Sequence, residues 1–269
     1  MAENVLYHYT SIDTLEKILL TRTIRFGNLS SVDDVDEDET EDLGRFGRFC
    51  YVSCWTNEEK ESIPMWNMYA HDMAGVRIEM KEFPFEQYFY EDKDGKPFKT
   101  YIDTEERDKQ GEKYILHVYP ELVEIDYTER EELLYPRIKN VIEKIEEENG
   151  QRKKSTSYTY TVNHLGCFKR KCWSFQKEWR YKIFVSPYTY SELKNCKNPE
   201  EAVALIARLE DDNIRLSESI FLKLDGECIK HMRILVGPKA TEEQIEKVKQ
   251  LANQAGVESP VEKSSLRIR

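Results

Sequence analysis

The sequence predicts a single α+β domain spanning residues 1–269. Short β-prone runs and amphipathic helical segments alternate irregularly, without the regular strand–helix–strand repeat of a doubly wound sheet. Neither a GxGxxG fingerprint nor a GxxxxGK[ST] loop occurs, so a Rossmann site and a P-loop are both disfavoured. With 39% apolar and 12% aromatic residues, the chain has enough apolar side chains for a packed core.

The amino-terminal third supplies the first elements of this domain. Residues 5–9 are β-prone, and the hydroxyls of Thr10 and Ser11 then offer N-caps to an amphipathic helix over 12–20. The elements expected next are strands at 24–26 and 49–55, a helix at 62–71 with Pro64 in its first turn, and a strand at 75–80.

The carboxyl-terminal third returns to the same pattern. The strands expected there lie at 179–185, 220–224 and 232–236. A final helix is expected over 242–254, because Thr241 can cap its start and Gly256 can end it.

The segment from about 81 to 162 differs from both ends, because it is charged, rich in Tyr and irregular. Its one clear helical pattern covers residues 130–148. We therefore interpret it as a charged helical insertion on the core rather than as a second domain.

Charged runs elsewhere are expected to face water. Eight of the ten residues at 33–42 are acidic, and such a run repels itself, which predicts a solvated loop. The basic runs at 152–154 and 169–171 are interpreted in the same way, as solvated faces.

The overall charge restricts the partners. The formal net charge is −11, from 40 Lys plus Arg against 51 Asp plus Glu. An acidic surface repels phosphate backbones, so nucleic-acid binding is disfavoured. The amino-terminal residues lack the pattern of a signal peptide, and no stretch reaches the roughly 20 apolar residues of a membrane span. We expect a soluble, cytoplasmic protein that does not enter a membrane.

The cysteines do not form a metal-binding pattern. The spacings Cys50-x3-Cys54 and His164-x2-Cys167-x4-Cys172 lack the close CxxC pairs that structural zinc sites use. In a reducing compartment we expect free thiols, with neither disulfides nor a bound metal.

Three segments carry candidate functional residues. The first contains His8, at the end of a predicted strand, where ligand-binding groups often gather. A neutral imidazole there can bond a sugar hydroxyl, or it can simply be satisfied by the backbone.

The second segment runs from Tyr51 to Tyr69. Trp66 and Tyr69 share a helix face, and Ser53 shares a strand face with Tyr51. Aromatic rings with one hydroxyl could hold a flat heterocycle such as nicotinamide, although an aromatic core stripe would look the same.

The third segment covers residues 173–181. Gln176 and Glu178 share a strand face among aromatic residues, where a partly desolvated carboxylate would suit stabilisation of positive charge. The alternative is a surface pair between Glu178 and Arg180.

Seven motifs at the two ends of the chain occur in a characteristic order. They are YHYTSIDTLEKIL, FGNLSSVDD, YVSCW, MWNMYA, GVRIEM, WSFQKEWRY and RILVGPKATEEQIEKV. Together they resemble one family, the largely uncharacterised bacterial and phage family called domain of unknown function 2971, and only about 81–162 lies outside the resemblance. That family is grouped by similarity with ADP-ribosyltransferases, including the histidine-tyrosine-glutamate class of diphtheria toxin and the poly(ADP-ribose) polymerases.

The resemblance implies a split β core of two antiparallel sheets with NAD in the cleft. It implies that His8 bonds the nicotinamide-side ribose and that Glu178 holds the ribose and stabilises the oxocarbenium ion. Gln176 is similar to the residue that orients acceptors in the arginine-serine-glutamate class. The other residues assigned to NAD binding are Tyr9, Thr10, Arg25, Tyr51, Ser53, Trp66 and Tyr69.

The implied function is NAD-dependent mono-ADP-ribosylation, in a toxin, phage-defence or counter-defence role. The acidic net charge favours protein over nucleic acid as the acceptor. An NAD glycohydrolase, and a non-enzymatic module that binds ADP-ribose, a nucleotide or a partner, are the alternatives. Three departures from the family bear on the acceptor: Tyr9 where the toxin class often has Gly, Asp33-Asp34-Val35 where Asn-Asp-Pro is usual, and Gln176 where Glu is common.

Overall fold

The computed structural model describes residues 4–91, 94–116, 119–148 and 151–268. The strands are β1 (Val5–Thr10), β2 (Thr23–Asn28), β3 (Cys50–Thr56), β4 (Val76–Lys81), β5 (Tyr88–Glu91), β6 (Pro97–Thr100), β7 (Glu121–Glu124), β8 (Asp126–Thr128), β9 (Lys139–Glu148), β10 (Gln151–Tyr160), β11 (Phe168–Arg170), β12 (Glu178–Phe184), β13 (Ser219–Lys223), β14 (Arg233–Val236) and β15 (Val261–Lys263).

The helices alternate with these strands in no regular order, and the mixed α+β class is therefore as predicted. They are α1 (Ile12–Thr21), α2 (Ile63–Tyr69), α3 (Thr104–Lys109), α4 (Glu131–Leu134), α5 (Tyr190–Lys194), α6 (Pro199–Ala207), α7 (Gly226–Lys230) and α8 (Glu242–Ala255).

Nine strands form one mainly antiparallel sheet that branches at β3. The main path runs β13-β2-β3-β1-β4-β14-β15, and β12 and β7 leave it at β3. Strand β12 occupies one whole edge of β3, because it pairs with all seven residues of that strand. Two strands share the opposite edge of β3: β2 pairs near the start of β3, and β1 pairs at its last residue, Thr56. The strands expected in two separate sheets are thus joined through one shared strand.

Helices α1 and α8 lie beside one another and cover the main core. Each begins at a hydroxyl N-cap, Ser11 for α1 and Thr241 for α8, and α8 ends at the left-handed Gly256, φ 81°. Four apolar side chains of each helix are buried. These two helices confirm the amphipathic periodicity and capping expected from the sequence.

The prediction of a helix at 130–148 is wrong. Only the single turn of α4 is helical, and residues 139–148 instead form a hairpin with Gln151–Tyr160. Pro136 explains the break, because a proline removes an N–H donor and disfavours helical geometry in the residue before it. The β-prone sequence TSYTY at 156–160 then provides a pairing strand.

The acidic loop at 33–42 is not the solvated segment expected from its charge. Asp34, Glu37 and Asp38 are buried, and Asp38 accepts a hydrogen bond from Arg45 at 2.7 Å. Lys169, from a basic run expected to be solvated, is buried as well, whereas the side chains at 152–154 lie outside the described residues. Cations from distant parts of the chain compensate acids that would otherwise repel one another.

A tight turn joins α2 to β4. His71, Asp72 and Met73 all have left-handed backbone angles, and Gly75 then passes against the backbone of β1. A β-carbon at Gly75 would overlap the carbonyl oxygens of Thr10 and Ala70. Only glycine fits at this close approach.

We predict that Gly75→Ala lowers the free energy of unfolding by about 1–3 kcal/mol, because a fixed backbone cannot yield to the added methyl group. Urea denaturation monitored by circular dichroism measures this. Gly226→Ala is the matched control: a β-carbon there meets nothing within 4 Å, so its stability should be unchanged or higher. Equal effects from the two substitutions would contradict this account of Gly75.

Candidate functional site

A cleft of about 190 Å³ lies at the carboxyl end of β3. Among the residues singled out from the sequence, those that line it are His8, Tyr9, Tyr69, Gln176 and Glu178. They come from β1, α2, the 3-10 turn Lys171–Gln176 and β12.

Strand pairing at Thr56 brings these distant segments together. Thr56 pairs with Tyr7 of β1 on one edge and with Glu178 of β12 on the other. The neighbouring residue His8 and the carboxylate of Glu178 therefore line the same cleft, although they are far apart in sequence.

His8 is held in a defined orientation. Its Nδ1 lies 2.7 Å from the carbonyl oxygen of Cys54, and because a carbonyl can only accept, Nδ1 carries the proton. The ring packs against Trp55, with 5.1 Å between ring centroids. Burial lowers the pKa of His8, so the imidazole is neutral at neutral pH and its Nε2 is a hydrogen-bond acceptor.

Glu178 is almost fully buried, with 4% of its surface exposed, and both carboxylate oxygens are bonded. Lys169 Nζ donates to Oε2 at 2.8 Å, and Arg180 Nε donates to Oε1 at 2.7 Å. Burial alone would raise the pKa of Glu178, but Arg180 and Lys169 hold it below its usual value. The carboxylate is therefore ionised and fixed in orientation.

Glu37 completes a charge-balanced cluster with these residues. Its carboxylate accepts a hydrogen bond from Arg180 Nη1 at 2.6 Å and lies 3.2 Å from Lys169 Nζ. We call Glu37, Lys169, Glu178 and Arg180 the buried quartet. Two carboxylates and two cations cancel, which is the condition under which charges are tolerated away from water.

Gln176 connects the buried quartet to Tyr69. Its Oε1 accepts a hydrogen bond from Lys169 Nζ at 2.9 Å, and its Nε2 donates to the Tyr69 hydroxyl at 2.5 Å. Burial raises the pKa of Tyr69, and the nearby Asp33 carboxylate adds to the effect, so the phenol stays protonated. The backbone N–H of Glu178 donates to the Tyr127 hydroxyl, which fixes the start of β12.

Three residues assigned to NAD binding from the sequence lie away from the cleft for reasons of packing. Tyr51 is at the start of β3, the opposite end, where its hydroxyl donates to the Ser217 carbonyl. Ser53 is buried and accepts from Trp55 Nε1 at 3.0 Å. Trp66 is fully buried in the aromatic core, so it has no surface to offer a ligand.

Thr10 and Arg25 are also placed elsewhere. Thr10 is buried at the end of β1, with its backbone against Gly75. Arg25 is exposed on β2 and donates to the Ser219 hydroxyl at 2.6 Å. The sequence pattern that suggested them could not show which end of its strand each would occupy in the sheet.

Sequence reasoning missed Glu37 and Lys169 altogether. One usable signal was the alternation of Glu178, Arg180 and Lys182 in β12, which puts three charges on one face of a strand. That strand lies between β3 and β7, and its charged face is buried, so these residues need buried partners.

Comparison with known proteins identifies no relative: no protein-family model, no curated protein and no solved structure matches the chain. All six cysteines are free thiols. Within the described residues, no group of three or more His, Cys, Asp or Glu side chains is arranged to hold a metal ion. None of the helices in the described ranges is both long enough and apolar enough to cross a bilayer.

We predict that Glu37→Gln lowers the free energy of unfolding by roughly 3–5 kcal/mol, because it leaves a buried cation without its counter-charge. Asp36→Asn is the matched control on the same loop. Asp36 pairs with Arg170 at the surface, so removal of the Asp36 charge should lower the free energy of unfolding by less than about 1 kcal/mol. Urea denaturation of both variants distinguishes them, and similar costs would contradict a special role for the buried quartet.

The depressed pKa of Glu178 predicts a pH dependence of stability. Its folded pKa lies below its unfolded value of about 4.3, so its contribution is present above that pH and is lost as the pH falls through the folded pKa. The stability difference between wild type and Glu178→Gln should therefore shrink progressively as the pH falls below about 5. Urea titrations across this range measure it, and a constant difference would show that the ionised carboxylate contributes nothing.

Proposed function

We propose that the protein is an NAD-dependent mono-ADP-ribosyltransferase. The observation that carries the proposal is the placement of an ionised Glu178 and a neutral His8 in one cleft, on either side of Thr56. These are the two groups that the resemblance assigns to ribose binding and to stabilisation of the cationic sugar.

The proposed fold is the split β core of that class. The branching of the sheet at β3 supports it, because β12 departs along one edge while β1 and β4 continue from the other. The cleft lies at this branch, where β1 and β12 both pair with Thr56.

In the proposed mechanism, Nε2 of His8 accepts a hydrogen bond from a ribose hydroxyl of NAD. The bond between C1′ and the nicotinamide nitrogen breaks, and nicotinamide leaves with the electron pair. The Glu178 carboxylate stabilises the positive charge that develops at the sugar. The acceptor nucleophile then bonds to C1′ and loses its proton. Tyr69, which is half-buried, provides aromatic surface for the nicotinamide ring in this cleft.

The size of the cleft bears on how NAD would be held. At about 190 Å³ it is smaller than typical ligand pockets, which begin at roughly 300 Å³. A neighbouring cavity of about 410 Å³ shares Tyr9, Met65 and Gln176 with it. That cavity is also lined by Lys60 and Lys177, with Glu58 and Glu61, and Glu58 pairs with Lys177. A diphosphate bound there would take the place of Glu58 at Lys177. We assign the nicotinamide riboside portion to the cleft and the remainder to this neighbour.

One observation favours a second candidate, a non-enzymatic module that binds ADP-ribose or a nucleotide. Lys169 and Arg180 both contact the Glu178 carboxylate, and their charges weaken the negative potential that it presents to a ligand. A transferase and an NAD glycohydrolase differ only in the acceptor. The formal net charge of −11 favours protein over nucleic acid as that acceptor.

We predict that Glu178→Gln reduces the rate of nicotinamide release from NAD by about 100-fold or more, because the positive charge that the carboxylate stabilises on the sugar develops only in the transition state. NAD affinity should change far less. His8→Ala should weaken both binding and turnover, since its ribose partner is present in both states. Release is followed by chromatography and affinity by calorimetry, and mass spectrometry with and without lysate protein separates transfer from hydrolysis.

Tyr51→Phe is the control variant, because Tyr51 lies at the opposite end of β3 and should keep wild-type turnover. Binding of NAD by Glu178→Gln also verifies that this variant is folded. NAD binding without nicotinamide release by the wild type would support the binding module instead. Wild-type release rates in Glu178→Gln would remove the proposed mechanism.

A further inference from the structure

A second cavity, of about 320 Å³, lies at the start of β3, the end away from the cleft. Its walls come from β3, β13, helix α3 and the segment that follows β12. The volume lies within the range of pockets that bind small molecules. It shares none of its lining residues with the cleft or with the cavity beside the cleft, so its occupant is independent of the proposed function.

One side of this cavity is apolar, with Val185, Leu216 and Ile220 among its lining residues. Phe221 also belongs to the lining, but its side chain faces outward from β13, opposite to the buried Ile220, and is 56% exposed. A ligand that packs against the three apolar residues removes its own apolar area from water.

The other side of the cavity carries positive charge. Arg107 and Lys113 line it with only one acidic residue, Glu112, which pairs with Arg107 at 2.6 Å. Arg107 Nε is buried and has no hydrogen-bond partner within the described part of the chain. Arg107 Nη2 donates to the Lys113 carbonyl at 3.4 Å. Burial lowers the pKa of Arg107 and Glu112 offsets only part of that effect, so a second anion would add to the stabilisation of its charge.

A larger cavity, of about 690 Å³, offers no comparable excess of charge. Its lining holds three arginines and three acidic residues, Asp42, Glu210 and Asp212, so the charges are equal in number.

We propose that the cavity between α3 and β13 binds a small monoanion with a flat apolar body, of the aromatic carboxylate class. The carboxylate lies against Arg107 and Lys113, and the ring lies against Val185, Leu216 and Ile220. A carboxylate matches the planar donor fork of a guanidinium, and an aromatic ring matches the apolar wall.

Isothermal titration calorimetry with three probes tests this site. Benzoate combines both features, benzamide keeps the ring without the charge, and acetate keeps the charge without the ring. We expect saturable binding of benzoate and at least about tenfold weaker binding of the other two, because each lacks one of the two contacts. Equal binding of benzamide and benzoate would overturn the proposal, as would no binding of benzoate.

Two variants locate the bound benzoate. Arg107→Gln should weaken benzoate binding by about tenfold or more, because a charge-assisted hydrogen bond is lost. Lys113→Gln removes a charge from a half-buried side chain of the lining, so it should weaken binding without loss of folding. Arg215→Gln, in the 690 Å³ cavity, is the control and should bind as the wild type does. If Arg107→Gln fails to fold, Lys113→Gln decides, and unchanged affinity in that variant overturns the proposal.

Discussion

The buried quartet of Glu37, Lys169, Glu178 and Arg180 is the interaction on which the candidate site depends. It joins the acidic loop to β11 and β12 by contacts of 2.6–3.2 Å, away from water. Charges in such surroundings are stable only as a complete set, because removal of one partner leaves an uncompensated charge. The acidic loop is therefore held in place as a wall of the cleft, and its residue Asp33 lines that cleft.

The same quartet sets the chemistry that Glu178 can perform. Lys169 and Arg180 keep the carboxylate ionised and oriented, which a preorganised electrostatic group requires. They also reduce the net negative potential in the cleft, and Glu37 restores part of it by sharing both cations. The proposed transferase requires that the two cations orient the Glu178 carboxylate more than they neutralise it, whereas the proposed binding module does not. Both effects come from residues other than His8 and Glu178.

Local patterns predicted those elements whose stability is decided locally. Helices α1 and α8 have hydroxyl caps and apolar residues at helical spacing, and strands β1, β3 and β12 have β-prone runs with clear ends. The prediction of a helix at 130–148 was wrong because Pro136 ends the helix after one turn. Residues 139–148 instead pair with the strand at 151–160. A pairing partner is a long-range property that helical spacing does not report.

By itself the sequence determined the α+β class, the N-caps of α1 and α8, and the main strands. It also identified His8 and Glu178 as the two candidate residues of one site. Only the tertiary structure decided that Tyr69 lines the cleft while Tyr51 and Trp66 do not, because strand ends and helix rotation are set by packing. It also decided that Glu37 and Lys169 are buried. A run of acids predicts mutual repulsion and solvation, and that expectation reverses when cations distant in sequence are brought within hydrogen-bonding distance in a low-dielectric interior.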